Sequence, residues 1–147
     1  MVQSVWVPAI RAQVELTHGN PAQSIALLRA ATRYELSNST AFPVCMFPVY
    51  IRGQAYLAAR QGTAAAAEFQ RILDHRGLVW NCWTSALAQL GLARAYALVA
   101  RTAQGADAEG YKSKSRAAYQ DFLTLWKDAD PDIPIFRDAR AEAAAMR

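Results

Sequence analysis

Residues 55–73 have the sequence AYLAARQGTAAAAEFQRIL, and this stretch decides the fold class. Two alanine-rich segments flank Gly62-Thr63, and apolar residues recur after it at three- and four-residue spacing: Ala65, Phe69, Ile72 and Leu73. This spacing places apolar side chains on one face of a helix, and alanine is the residue that enters helices most readily. The stretch therefore predicts two helices joined by a turn at Gly62-Thr63.

The same pattern returns later in the chain, as AYALVAR over 95–101 and SRAAYQDFLTL over 115–125. Tyr96 corresponds to Tyr56 and follows it by 40 positions. Phe122 corresponds to Phe69 but follows it by 53 positions. The later unit thus carries extra residues between its two helices. Because residues 102–114 include Gly105 and Gly110, we expect them to form a flexible loop insertion.

Residues typical of helix ends mark where the remaining predicted helices begin and end. His18-Gly19 ends a first helix, and Asn20-Pro21 starts a second with Asn as N-cap and Pro at the first helical position. Asn81 or Thr84 is expected to cap the helix that carries Tyr96, and Pro134 opens the last one. No segment shows the period of a strand. The sequence predicts one all-α domain over 1–147, with antiparallel helix pairs at 4–36, 46–76 and 83–129 and a capping helix at 134–147.

These repeats resemble the tetratricopeptide family, whose pattern is W-x2-L-G-x2-Y, then A-x3-F, then P. Gly53-x2-Tyr56 with Ala65-x3-Phe69 fits it, as does Leu92-Ala93-x2-Tyr96 with Ala118-x3-Phe122 and Pro131. Leu90-Gly91 competes with Leu92-Ala93 for one motif position, and Val49 and Gln89 replace the expected Trp. The resemblance implies about three helix pairs stacked as a right-handed superhelix, plus a cap.

A narrower resemblance is carried by VYIRGQAYLAARQGTAAAAEFQRILDHRG and by LGLARAYAL. Both are similar to the C-terminal repeat region of acidobacterial serine/threonine protein kinases and related transcriptional regulators. The resemblance implies that the chain is a fragment of a longer bacterial protein, with its catalytic or DNA-binding part upstream. The chain itself has no G-x-G-x-x-G, H-R-D or D-F-G motif of a kinase.

The tetratricopeptide resemblance also implies a function, since the first helix of each pair lines a concave groove that receives a peptide. On the alignment above, the lining residues are Gln13, Tyr50, Gln54, Leu57, Leu90 and Arg94. The Lys/Asn/Arg clamp of chaperone-binding members is absent, because its places hold residues such as Ala9, Gln13, Ile51, Leu87 and Gly91. We therefore expect a scaffold that binds another peptide or protein surface. The alternative is a spacer that forms a homodimer, through Trp80 and Trp83 or through its N-terminal face.

Charge and cysteine content narrow the possible binding partners and the cellular compartment of the protein. The formal net charge is +4, but the basic residues are scattered, which disfavours nucleic acid as a partner. No apolar run approaches the roughly 20 residues that span a bilayer. Cys45 and Cys82 lack metal-site spacing and are expected to be reduced thiols. Together these features predict a cytoplasmic protein without a membrane partner.

Candidate chemistry is weak throughout the chain, so we expect no enzyme, cofactor or metal. His18 and His75 lie near predicted helix ends, where a dipole interaction explains them. Asp128, Asp130 and Asp132 imitate a calcium loop, but Ile133 stands where glycine should follow, and Ala139 occupies the late glutamate position. Trp80 and Trp83 could anchor a partner, although packing between repeat units is favoured.

Overall fold

The computed structural model describes residues 2–37, 45–79 and 81–146, and every regular element in these ranges is helical. A π-helical turn at Val2–Trp6 leads into the first α-helix, and a 3₁₀ segment at Arg29–Tyr34 continues the second. The α-helices of the described residues are α1 (Val7–Thr17), α2 (Pro21–Leu28), α3 (Phe47–Ala58), α4 (Gly62–Asp74), α5 (Arg76–Val79), α6 (Trp83–Ala100), α7 (Gly105–Leu125) and α8 (Pro134–Ala145). The predicted all-α class is confirmed.

Several predicted helix boundaries are confirmed, whereas the predicted capping bonds are not. α2 and α8 begin at Pro21 and Pro134. The Asn20 side chain donates to the Glu15 carboxylate and does not cap α2. Thr84 lies inside α6, where its hydroxyl donates to the Cys45 carbonyl oxygen at 2.7 Å, so its predicted role as a cap is wrong. Tertiary partners compete for these short polar side chains.

The predicted loop at 102–114 is wrong, because most of it belongs to α7. This helix begins at Gly105 and runs for 21 residues. Gly110 costs a helix only about 1 kcal/mol relative to alanine, and its alanine, glutamate and lysine neighbours favour helix formation. The ring of Tyr111 lies 5.9 Å from that of Tyr96, and the Lys114 ammonium lies over both rings. These contacts hold the first turns of α7 against α6.

Helices that follow one another along the chain also lie side by side. α1 contacts α2, α2 contacts α3, α3 contacts α4, α4 contacts α6, α6 contacts α7, and α7 contacts α8. The first helices of the predicted pairs also touch, since α3 contacts both α1 and α6. Each predicted pair is therefore adjacent in space to the pair that precedes or follows it in sequence.

The ring of Phe69 fills the junction of α3, α4 and α6. Phe69 is fully buried, and a Cβ on Gly53 of α3 would lie 2.8 Å from its ring. A Cβ on Gly91 of α6 would lie 2.5 Å from the ring. Gly91 therefore makes the close approach to Phe69, whereas Ala93 packs with Ala118 and Phe122 of α7. Gly91 and Ala93, which compete for one position of the sequence motif, thus pack against two different helices, α4 and α7.

A buried ionic cluster, formed by Glu35, Arg52, Glu68 and Arg71, joins the 3₁₀ segment to α3 and α4. The Glu35 carboxylate is fully buried and accepts hydrogen bonds from Arg52 at 2.5 and 3.2 Å and from Arg71 at 2.9 Å. Arg52 also donates to Glu68. Burial disfavours the Arg52 charge, but the hydrogen bonds that Arg52 donates to Glu68 and Glu35, together with the charges of these carboxylates, outweigh this effect and raise the pKa of Arg52. The charges of two carboxylates and two guanidinium groups therefore neutralise each other in the seam where the 3₁₀ segment meets α3 and α4.

A disulfide joins Cys45 to Cys82, so the prediction of reduced thiols is wrong. The two Cα atoms lie 5.8 Å apart although 37 positions separate the residues in sequence. Cys45 lies two residues before α3, and Cys82 directly precedes α6. Their pairing depends on the side-by-side packing of α3 and α6, which cysteine spacing does not encode.

Candidate protein-docking surface

Four aromatic rings form a continuous surface across the starts of α1, α3 and α6, here called the aromatic row: Trp6, Phe47, Tyr50 and Trp83. Ring centroids lie 5.5 Å apart for Trp6 and Phe47, and 5.4 Å apart for Phe47 and Trp83. Tyr50 meets Trp83 edge-on at 5.1 Å. Trp83 keeps 50% of its surface exposed, and the other three rings are half-buried. Trp83 is therefore the ring of the row that is most open to solvent.

The position of each ring in its helix explains why the rings meet. Trp6 directly precedes α1, while Phe47 and Trp83 are the first residues of α3 and α6. Side chains of a helix lean toward its N-terminus, so rings in the first turn project at the end of the helix. Since α3 contacts both α1 and α6, the three ends bring their rings together.

Two glutamines continue this surface along the helices. Gln54 lies two turns after Phe47 on α3, and its amide donates to the Tyr50 hydroxyl at 3.1 Å. Gln13 is exposed and lies at the same spacing after Trp6 on α1. Burial raises the pKa of Tyr50 above its ordinary value, so its hydroxyl stays protonated at neutral pH. The row and its glutamines are therefore uncharged.

Arg94 is engaged within the molecule by the last helix. Its guanidinium forms two hydrogen bonds of 2.8 Å with the carboxylate of Glu142 on α8. Tyr119 of α7 donates its hydroxyl to the same carboxylate at 2.9 Å. Burial disfavours the Arg94 charge, but the hydrogen bonds that Arg94 donates to Glu142, together with the charge of this carboxylate, outweigh this effect and raise the pKa of Arg94. These three residues, here called the α8 lock, tie α6, α7 and α8 together.

The predicted lining residues lie in four different settings. Tyr50 and Gln54 lie together on α3, and Gln13 holds the equivalent place on α1. Leu57 is half-buried against the core around Phe69. Leu90 is only 1% exposed among Phe122 and Phe136, so its placement on an open surface is wrong. Arg94 is held in the α8 lock.

Sequence reasoning missed Trp6 and Phe47 as surface residues. A signal was present, because Phe47 precedes Gln54 by two helical turns and Trp6 precedes Gln13 by the same interval. Trp83 was expected to pack between repeat units; it does contact Phe47 and Tyr50 of α3, yet it also stays half exposed. Trp80 lies outside the described residues.

The other candidate residues have local roles. The Nδ1 atom of His75 lies 2.8 Å from the Arg71 carbonyl oxygen at the end of α4, and His18 ends α1. The Asp130 carboxylate accepts the Asp132 backbone N–H in a turn. Across residues 2–37, 45–79 and 81–146, no three His, Cys, Asp or Glu side chains are grouped to ligate a metal ion. No helix within these ranges has both the length and the apolarity to cross a bilayer.

Comparison of the chain with protein-family models, with curated proteins and with solved structures finds no match.

Proposed function

We propose that the chain is a protein-interaction module that binds an extended peptide segment on the aromatic row and its flanking glutamines. The observation that carries the proposal is the exposure of Trp83 within a contiguous set of four rings from three helices. Large rings supply contact area at low conformational cost and dominate the energy of many protein interfaces. The order of helix contacts along the chain also supports the stacked tetratricopeptide-like arrangement that belongs to this proposal.

The chemistry of the surface favours a particular kind of bound segment. The row is uncharged, so apolar or aromatic side chains of the segment would pack between its rings. The amides of Gln13 and Gln54 offer hydrogen bonds to an extended backbone. Arg94 stays outside the proposed surface because Glu142 already occupies its guanidinium.

Selection from a random peptide library displayed on phage tests the proposal, with the oxidised chain as bait. We expect enriched peptides whose affinity falls at least roughly tenfold in Trp83→Ala, since buried tryptophan contacts dominate interface energies. Because Trp83 is half exposed, its truncation should leave the helix content unchanged, and circular dichroism checks this. Equal binding by wild type and Trp83→Ala, or a selection without enrichment, would contradict the proposal.

Leu125→Ala is the matched control. Leu125 is 64% exposed on α7, where it lines a separate groove with Arg76 and Gln89. It is thus an apolar surface residue like Trp83, but it lies outside the aromatic row. Its truncation should leave the peptide affinity unchanged.

Self-association is the second candidate, because α1 has an exposed apolar stripe. Ile10 is 61% exposed and Val14 is 47% exposed one turn further along the helix. Light scattering behind a sizing column separates the two functions. A dimer that survives dilution and becomes monomeric in Ile10→Asp would favour the spacer function, whereas a monomer would favour the interaction module.

The proposed setting follows from the family resemblance. A module of this kind would regulate an attached bacterial kinase or transcriptional regulator and would itself perform no catalysis. A cytoplasmic location is part of this proposal. Disulfides in a reducing cytoplasm are usually transient or redox-sensing, which makes the Cys45–Cys82 bond a feature that requires an explanation.

A further inference from the structure

We propose that the Cys45–Cys82 disulfide is a redox switch for the aromatic row, so that reduction by a dithiol loosens Trp83 and weakens peptide binding. This inference rests on the function proposed above. The redox state of this covalent bond regulates peptide binding on the aromatic row: the oxidised chain binds the peptide, and the reduced chain binds it weakly.

The disulfide lies directly beside two of the four rings. Phe47 follows Cys45 by two residues, and Trp83 immediately follows Cys82. The two rings contact each other with centroids 5.4 Å apart. The bond between the two cysteines therefore fixes the relative position of the chain segments from which both rings project.

The backbone on the Cys45 side has a conformation that side chains disfavour. Cys45 and Met46 have φ angles of 50° and 52°, in the left-handed region that few residues other than glycine adopt. Such conformations persist when the surroundings hold them. Here the disulfide, the hydrogen bond from the Thr84 hydroxyl and the buried Met46 side chain hold this segment.

The two sides of the bond are held unequally. Met46 is 1% exposed in the core around Phe69, so the Cys45 side remains anchored without the disulfide. Cys82 precedes α6 without a side-chain capping bond, and the next residue is the half-exposed Trp83. Reduction therefore frees Cys82 and Trp83 from the Cys45 side. The bond from Thr84 to the Cys45 carbonyl oxygen limits this loosening to the residues before it.

The chemistry of the switch is ordinary thiol–disulfide exchange. Cys45 is 8% exposed and Cys82 is more accessible, so the thiolate of the dithiol attacks the Cys82 sulfur and displaces the Cys45 thiolate. The second thiol of the reductant then displaces Cys82 and closes the oxidised, cyclic reductant. Two electrons pass to the protein, and the two cysteine thiolates take up the two protons that the dithiol loses.

The test compares a library-selected peptide with the chain in three states: oxidised, reduced by dithiothreitol, and reoxidised. We expect the affinity to fall roughly tenfold on reduction and to return on reoxidation. The Cys45→Ser, Cys82→Ser double variant should bind like the reduced chain whether or not dithiothreitol is present. Equal affinity in the oxidised and reduced states would overturn the switch while leaving the docking function intact.

Two further measurements separate a switch from a structural crosslink and from a failed docking function. If circular dichroism shows that reduction unfolds the helices as a whole, the bond is a staple and the proposal is wrong. The indole N–H resonance of Trp83, assigned by its loss in Trp83→Phe, reports the row without any peptide. A resonance that shifts and exchanges faster with water on reduction supports the switch even where no peptide is selected, and an unmoved resonance overturns it.

Discussion

The contact of Phe69 with Gly53 and Gly91 shows, at the scale of single residues, how one ring sets the distance between three helices. The sequence identified Phe69 through its repeat position and Gly53 through the same motif. It could not decide between Gly91 and Ala93, because residues two positions apart in a helix face different neighbours. Only the packing of α4 against α6 assigns Gly91 to the ring.

Gly91→Ala should destabilise the fold by about 1–3 kcal/mol, the usual range for overpacking a core. The added Cβ would lie 2.5 Å from the fully buried ring of Phe69, which cannot move without displacing α3. Urea unfolding followed by circular dichroism measures the change. Gly110→Ala is the control, since nothing lies within 4 Å of its new Cβ and a helical alanine should stabilise by up to about 1 kcal/mol. Equal effects of the two substitutions would refute the close approach of Gly91 to the Phe69 ring.

Glu35→Gln should cost about 3 kcal/mol of unfolding free energy, because it leaves buried Arg52 without its closest acid. The amide preserves the volume, so the loss reports the charge. Glu109→Gln is the matched control: Glu109 forms a solvent-exposed pair with Lys112, and such pairs contribute little to stability. A loss at Glu35 no greater than that at Glu109 would show that the buried cluster is energetically neutral. The sequence could not predict this cluster, since its partners lie 17 and 36 positions away.

At the scale of helices, local sequence patterns predicted the presence of each helix better than the residues at which it begins and ends. Pro21, Pro134 and His18 marked true boundaries because proline and helix ends have local chemistry. Gly105 and Gly110 favour a loop over the first turns of α7, but the alanine, glutamate and lysine residues around them favour a helix, and the helix forms. The stacking of Tyr111 on Tyr96 of α6 is a tertiary contact that the local pattern does not contain.

The α8 lock makes the stability of the fold sensitive to alkaline pH. Burial, and then the nearby Glu142 charge, raise the pKa of Tyr119 well above its ordinary value of 10.0. The folded state therefore favours the neutral phenol, so this stabilisation is complete below about pH 10 and is lost as the pH rises further. Unfolding free energy should therefore fall progressively as the pH rises above about 10.

Tyr119→Phe tests the source of this pH dependence. The variant should lose about 1 kcal/mol at pH 8, where the hydroxyl donates to Glu142. It should then decline less steeply than wild type above about pH 10, because the phenol is gone. Part of the slope should remain, since burial also raises the pKa of Tyr50. Parallel pH profiles for the two proteins would locate the alkaline sensitivity elsewhere.

At the scale of the whole molecule, the aromatic row was the part least accessible to sequence reasoning. The order of the helices could be predicted from the sequence repeat alone, and helices that are neighbours in sequence do contact each other in space. The row requires the relative positions of three helix ends that are separated by tens of residues. Sequence supplied Tyr50 and its neighbour Gln54, whereas Phe47 and Trp6 emerged from the packing of α1 against α3.

A molecule whose helices contact chiefly their sequence neighbours should also open in stages. α4 and α6 have packed helices on both sides, whereas α8 packs mainly on α7, and α1 and α2 pack mainly on each other. Native-state hydrogen exchange should therefore be slowest in α4 and α6 and faster in α1, α2 and α8. Glu35→Gln weakens the seam that joins the 3₁₀ segment to α3 and α4, so it should accelerate exchange in residues 2–37 far more than in α7. Uniform acceleration along the described chain would instead show one cooperative unit, and the aromatic row would then assemble only with the whole fold.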